Sequence, residues 1–391
     1  MEEQKKAPIS QKEALVNDGT ASKTEDRLFV ASQWQLMWWR FRKHKVALWS
    51  ILIVALFIFV ALFPEFLATE DPEYFQAKYS FAPPQAVHLF RDGGIHPFVY
   101  GWTYGRDPET LQQIFKVDKT RAYAVHFFVK GQEYKVLGLF PSDIHIMGLA
   151  PGNPDVDSRK VRLALLGTDR MGRDMWSRLM YGTRISMSIG LVGVAVSLIL
   201  GIILGGLSGY YGGTVDEAIQ RSIDFLRSIP TIPLWMGLAA AMPRDWPPLR
   251  VYFGITIILS LIGWTGLARV VRGRFLSLRE EDFVMAARLS GTSEMRIILA
   301  HMVPSFTSYI IASATLAIPS MILSETSLSF LGLGLRPPVI SWGVLLQEAQ
   351  NIRTVAQAPW LMVPGLAVII IVLAYNFLGD GLRDAADPYS R

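Results

Sequence analysis

The sequence predicts an all-α polytopic membrane protein. Six transmembrane helices carry a short helix on the inner side, and a small β-rich domain is inserted between spans one and two. Three observations support this. Six apolar runs approach the roughly 20 residues that a bilayer core requires: Val46–Phe63, Ile185–Leu207, Ile223–Met242, Val251–Ala268, Phe306–Leu323 and Leu361–Leu378. The 391 residues are 51% hydrophobic and 18% charged, with mean hydropathy +0.30. That is too apolar for an ordinary soluble enzyme and too polar for spans alone. Finally, the first two runs are separated by Pro64 to Arg184, much of it in strand-like alternation.

Residues 1–45 form a polar tail that ends in a basic block. Its first part, to roughly Ser32, has few aromatics and no helical stripe and reads as disordered. "WWRFRKHK" (Trp38–Lys45) sets basic residues behind an aromatic belt, immediately before the first span (46–63), and so belongs in the cytoplasm. A run that begins only at Val46 reads as an uncleaved signal-anchor rather than a cleaved signal peptide. Six spans then place both termini inside. The net charge of +5 comes largely from arginines in short loops beside apolar runs, so it reads as topology and not as nucleic-acid binding. The chain has no cysteine, which excludes disulfides, thiolate metal sites and a cysteine nucleophile.

Residues 64–184 fall outside the membrane. "RAYAVHFFVKGQEYKVLGLF" (Arg121–Phe140) reads as strand, Lys130-Gly131-Gln132 turn, strand; "HLFRDGGIHPFVYGW" has the same form around Asp92-Gly93-Gly94. The core of five further helices occupies 185–378, and 379–391 returns to the cytoplasm. Pro230 and Pro233 make the third span kinked or late to begin. The fifth is the least hydrophobic, with Ser308, Ser313, Thr315 and Ser320. These small and hydroxylated residues suit a face packed on helices or on a pathway. Between spans four and five, Arg269, Arg272, Arg274, Arg279, Arg288 and Arg296 place the 269–305 loop inside.

That loop contains "DFVMAARLSGTSEMRIILAHMVPS" (Asp282–Ser305). Asp282–Ser290 reads as a short helix closed by Gly291 in a left-handed conformation. Thr292 or Ser293 can cap the next helix, with Glu294 in its first turn. Ala286 and Ala287 present little side chain, so another protein can approach the backbone closely. Glu280, Glu281 and Asp282 would be repelled by anionic lipid, which favours a partner-binding helix over an interfacial one. Held between two spans, such a rod acts as a lever.

Ala286-Ala287, three residues, Gly291 and a downstream Pro304 resemble the coupling motif of ABC-importer permeases, with Met285 where the family has Glu. Four other stretches are similar to the oligopeptide/dipeptide subfamily, specifically to its second permease subunit. They are "FRKHKVALWSILIVALFIFVALFP", "LGTDRMGRDMWSRLMYGTRISMSIGL", "ETSLSFLGLGLRPPVISWGVLL" and "NFLGDGLRDAADP". The resemblance implies a type I importer in a bacterial or archaeal cytoplasmic (inner) membrane. Its implied partners are a homologous second permease subunit, two ABC ATPase subunits, an extracytoplasmic solute-binding protein and membrane lipid. The implied cargo is peptides, with oligosaccharides as the alternative. ATPase-coupling roles fall on Asp282, Phe283, Met285, Ala286, Ala287, Arg288 and Gly291.

No G-x-x-x-x-G-K-[ST] occurs, so ATP and its Mg²⁺ are expected on the partner ATPase and no cofactor on this chain. The six histidines show no H-E-x-x-H spacing, and no G-x-S-x-G nucleophile elbow is present. A transport subunit is expected rather than an enzyme. Glu325, with Ser320 and Ser324, is the candidate pathway or gate, because an ionisable residue near membrane depth is functional by default. Asp224 and Arg227 can pair on one helix face. A membrane-anchored sensor or scaffold is the competing class, but no inner segment is long enough for an effector domain.

Overall fold

The computed structural model describes residues 33–91, 94–106, 108, 113–149, 161–243 and 245–386. The tail expected to be disordered, the Asp92-Gly93 turn and the last residues of the C-terminal segment lie outside these. Among the described residues, five helical stretches are long and apolar enough to cross a membrane: Lys45–Leu62, Met175–Tyr211, Pro248–Leu278, Glu294–Phe330 and Pro359–Ala386.

The α-helices of six residues or more are, in chain order, α1 (Gln33–Phe41), α2 (Lys45–Leu62), α3 (Met175–Tyr211), α4 (Gly213–Ser228) and α5 (Thr231–Ala240). They continue with α6 (Pro248–Leu278), α7 (Asp282–Leu289), α8 (Thr307–Phe330), α9 (Trp342–Gln347), α10 (Ile352–Gln357) and α11 (Val363–Ala386). A π-helical turn, Ile297–Met302, and a 3₁₀ turn, Val303–Phe306, lead into α8.

The expected third span, Ile223–Met242, is not one helix. Pro230 has no N–H to continue the ladder, and the residue before it, Ile229, is extended (φ −88°, ψ 129°). The result is α4, which is amphipathic, and α5, whose 10 residues cover only about 15 Å. Both run along α6 in the opposite direction. Asp216 and Asp224 of α4 meet Arg272 and Arg269, whereas Ala239 of α5 shares a cluster with Ile255 and Ile258.

The helix α3 begins at Asp174, whose carboxylate accepts from Ser177 N, and ends at Gly212 (φ +65°). It packs most extensively on α6. Gly201, Gly205 and Gly209 recur every fourth residue along this seam. A Cβ on Gly205 would lie 2.5 Å from Ala268 O, and one on Gly209 would lie 2.5 Å from Phe275 Cβ. Gly205→Val is therefore expected to destabilise the protein by about 3 kcal/mol. Gly273→Val, where nothing lies within 4 Å, should be tolerated. Thermal stability of the detergent-extracted variants measures both, and equal melting would refute the close-approach argument.

The insertion is a four-stranded antiparallel sheet in the order β1-β2-β3-β4: β1 (His88–Arg91), β2 (Gly94–Arg106), β3 (Gln113–Val136) and β4 (Phe140–Leu149). The first half of β3 pairs with β2 and the second half with β4. The turn expected at Lys130-Gly131-Gln132 is not there. It falls at Leu137-Gly138, both with positive φ (51° and 73°). Gly131 lies inside β3 because the His145 ring packs against it, where a Cβ would collide. The sheet docks on the helices where α2 ends and α3 begins. Phe128 lies 6.2 Å from Phe66, and His145 Nδ1 lies 2.9 Å from Ala68 O.

Candidate functional site

The rod α7 lies at the end of the bundle opposite the sheet, since α3 and α6 both run from the sheet end towards it. Its two faces are unlike. Val284 and Ala287 are buried among Tyr210, Phe275, Ile297 and Met302. Asp282, Phe283, Met285, Ala286, Arg288 and Leu289 are exposed, Leu289 to 88%. Ala287 is only 8% exposed, so of the two alanines expected to admit a partner only Ala286 lies on the surface. Ala287 follows Val284 by three residues and so shares its anchored face, whereas Ala286 is turned away from it.

Three constraints hold the rod. Gly291 takes φ +72°, which lets Thr292 N donate to Ala287 O at 3.1 Å and closes the helix. At the end of α3, Tyr210 accepts from Arg288 Nε at 3.2 Å, with the guanidinium 4.8 Å over its ring. Next to it, Tyr211 Oη donates to Glu294 Oε2 at 2.5 Å. The capping hydroxyl expected of Ser293 makes no such bond. Force applied to α7 therefore passes to α3 through the tyrosines, and to α6 through the three-residue link 279–281 and the buried contact with Phe275.

The same end carries a second stitch. Asp216 Oδ1 and Oδ2 accept from Arg272 Nε and Nη2, both at 2.5 Å, and Oδ1 also accepts from Ser208 Oγ at 2.5 Å. Asp224 pairs with Arg269 across to α6 and not with Arg227 of its own helix. The cross-helix guanidinium is the nearer partner once α4 lies along α6.

At the other end, Glu325 sits inside α8 rather than after it, fully buried. Its carboxyl oxygens accept from Ser186 Oγ (3.1 Å), Ser329 Oγ (2.9 Å) and Ser341 Oγ (2.7 Å). Each of these hydroxyls in turn accepts a backbone N–H, from Trp342 (3.0 Å), Leu335 (3.0 Å) and Val344 (3.3 Å) respectively. One carboxyl thus collects three serine protons and ties α3, α8 and the loop that opens α9. Of the residues grouped with it, Ser320 is exposed, and Ser324 is half-buried and donates to Ser320 O at 2.7 Å. Neither touches the Glu325 network.

The "GTDRMGRD" stretch before α3 makes a compact polar knot at the sheet end. Asp169 accepts from Met171 N (2.8 Å), Arg173 N (2.9 Å), Arg173 Nε (2.7 Å) and the Arg178 guanidinium, and Arg173 reaches on to Glu348 (3.3 Å). The Gly205 seam and the Asp216–Arg272 pair were not singled out from sequence, and the stretch that makes this knot drew notice only for its resemblance. Only the first has a local signal, the fourfold glycine spacing.

Two family models match the chain. "Binding-protein-dependent transport system inner membrane component" covers residues 197–391, and "N-terminal TM domain of oligopeptide transport permease C" covers residues 32–84. The sheet lies between the matched segments. The chain is similar to the oligopeptide transport system permease protein OppC of Haemophilus influenzae, 39% identical over 226 residues, 58% of this chain and 70% of the relative. It is similar to the dipeptide permease protein DppC of Alkalihalophilus pseudofirmus at 38% over 223 residues (57% and 71%). The DppC of Bacillus subtilis matches at 37% over 227 residues (58% and 68%). Among solved structures, an inward-facing form of the MetNI methionine ABC transporter aligns with 54% of this chain and 97% of its own, at 18% identity and TM-score 0.42.

Proposed function

We propose, from the premise that this chain belongs to the family of binding-protein-dependent transport system inner membrane components, that it forms half of the translocation pathway of an ATP-driven importer for peptides or similar small oligomers. It is a multi-pass membrane permease subunit of an ABC importer, and not an enzyme. The observation that carries the mechanistic reading is α7: a rod rooted by Val284 and Ala287, with Met285 and Leu289 one turn apart on its exposed outer face and Phe283 exposed on its flank, none of them part of the core formed by the described residues. Such a face suits the groove of a partner ATPase.

In this reading α7 is the coupling helix and lies in the cytoplasm, with both termini, and the sheet lies outside. Six crossings follow if α4 and α5 together make the third. The antiparallel run of both against α6 supports that count. A homologous permease completes the pathway, two ATPases grip the paired rods and hydrolyse ATP, and a solute-binding protein delivers cargo at the sheet end. ATPase closure draws the rods together, and the Tyr210, Tyr211 and Phe275 contacts pass that motion to α3 and α6.

The test is affinity purification of the tagged chain from its own membranes, followed by reconstitution. An ATPase should copurify, and vesicles given ATP and binding protein should accumulate a labelled tripeptide in preference to a labelled trisaccharide. Preferential trisaccharide uptake would replace the substrate reading. Absence of any ATPase would remove the importer reading.

A further inference from the structure

Midway along the bundle a cavity of about 280 Å³ opens between α3, α6 and α8, lined among others by Ser197, Gly263, Gly266, Leu267, Ser313 and Ala317. Ser197 is 6% exposed, and its hydroxyl has no hydrogen-bond partner. Helical serines usually donate to the carbonyl four residues earlier, as Ser324 and Thr315 do here. For Ser197 that carbonyl is Gly193 O, which already accepts from Ser260 at 3.1 Å. Ser197 lies in the cavity wall with its hydroxyl packed against Gly263, where a Cβ would stand 2.5 Å from Ser197 Oγ. Glycine at 263 is thus what leaves room for the hydroxyl.

Ser313 and Ala317 of the cavity wall begin a stripe along α8 that runs on through Ser320, Ser324 and Ser327, all exposed or half-buried at helical spacing. Faces that meet lipid look different. Leu52 and Leu56 of α2, and Ile369 and Leu373 of α11, are large and apolar. Small polar residues at membrane depth mark packed helices or a water-filled path. An unpartnered buried hydroxyl in the wall of an unfilled volume favours the path, because leaving it unsatisfied costs free energy that a rotation towards a passing polar group would recover. No charged side chain lines the cavity, so it cannot sort solutes by charge.

Resting on the peptide-importer reading, we propose that this cavity is a way-station on the translocation path, where Ser197 and Ser313 hydrogen-bond the neutral backbone amides of a passing peptide whatever its side chains. Gly266 supplies the test, since a Cβ there meets nothing within 4 Å and the chain has no native cysteine. In the assembled transporter, Gly266→Cys should react with a small cationic methanethiosulfonate. Saturating tri-alanine, with binding protein and ATP, should slow that reaction. Gly266→Leu should lower tri-alanine uptake roughly tenfold while ATPase copurification persists. Three outcomes would overturn the proposal: a thiol inert to the charged reagent in every nucleotide state, a thiol modified only by an apolar maleimide, or loss of the second permease subunit from Gly266→Leu complexes. The first and last would mean that a partner helix fills the cavity, and the second that lipid does. Uptake by the unsubstituted transporter, run alongside, separates the two readings. Normal tri-alanine uptake with an inert thiol removes only the way-station, whereas no uptake removes the peptide reading and this inference with it.

Discussion

Glu325→Ala is expected to destabilise the protein by about 3 kcal/mol or more. Three serine hydroxyls, each already holding a backbone N–H, would lose the single group that takes their protons. Because Ser186, Ser329 and Ser341 are all buried, no solvent replaces that acceptor. The loss would free the start of α9 from α3 and α8, loosening the sheet end of the core around Trp342 and Ile322. By the scaling known for domains of 150–250 residues, this is a fall of roughly 6–12 °C in melting temperature, measurable by size-exclusion after heating in detergent. Glu325→Gln should cost less. Its amide oxygen still takes Ser329 and Ser341, and only the Ser186 bond must reorganise. An alanine variant that melts with the parent would show that the carboxyl is no structural tie and would return it to the list of pathway groups.

Leu289→Asp is expected to abolish uptake while leaving the melting temperature within error of the parent. Leu289 is 88% exposed and is not part of the core formed by the described residues, yet it stands one turn from Met285 on the outer face of α7. A charge at the centre of a buried interface removes about 2 kcal/mol or more, a roughly 30-fold loss of affinity for the ATPase. Pull-down titration of the ATPase reads that loss directly. Val284→Asp is the contrasting variant. Its charge would enter the cluster of Phe275, Ile297 and Met302, and folded protein should disappear instead. Ala287, first expected to face a partner, belongs with Val284, so a bulky charge there tests folding rather than coupling. If Leu289→Asp retained full ATPase binding and uptake, α7 would not be the coupling element.

Much of the candidate site was legible in the chain because its signals are local. The Asp282–Leu289 helix, its Gly291 stop and the strand-rich insertion follow from spacing, φ preference and alternation within a few residues of each other. The Gly201-Gly205-Gly209 repeat was equally local and passed unread. The errors have a common origin. Gly131 and Gly138 are both plausible turn residues, and only the approach of His145 from β4 assigns the first to a strand interior. Asp224 has an arginine three residues away on its own helix, but Arg269 meets it once α4 lies against α6.

By itself the sequence determined where the five long apolar segments run, where prolines and glycines interrupt the chain, and which short helix stands between two of them. These properties depend on length, hydropathy and backbone restriction, which each residue carries with it. Only the tertiary structure decided which face of α7 is buried and which is exposed, that Glu325 is enclosed by serines from positions 186, 329 and 341, and that Ser197 stands in a cavity wall. Burial and hydrogen-bond partnership are properties of pairs, and those pairs are formed by residues far apart in the chain.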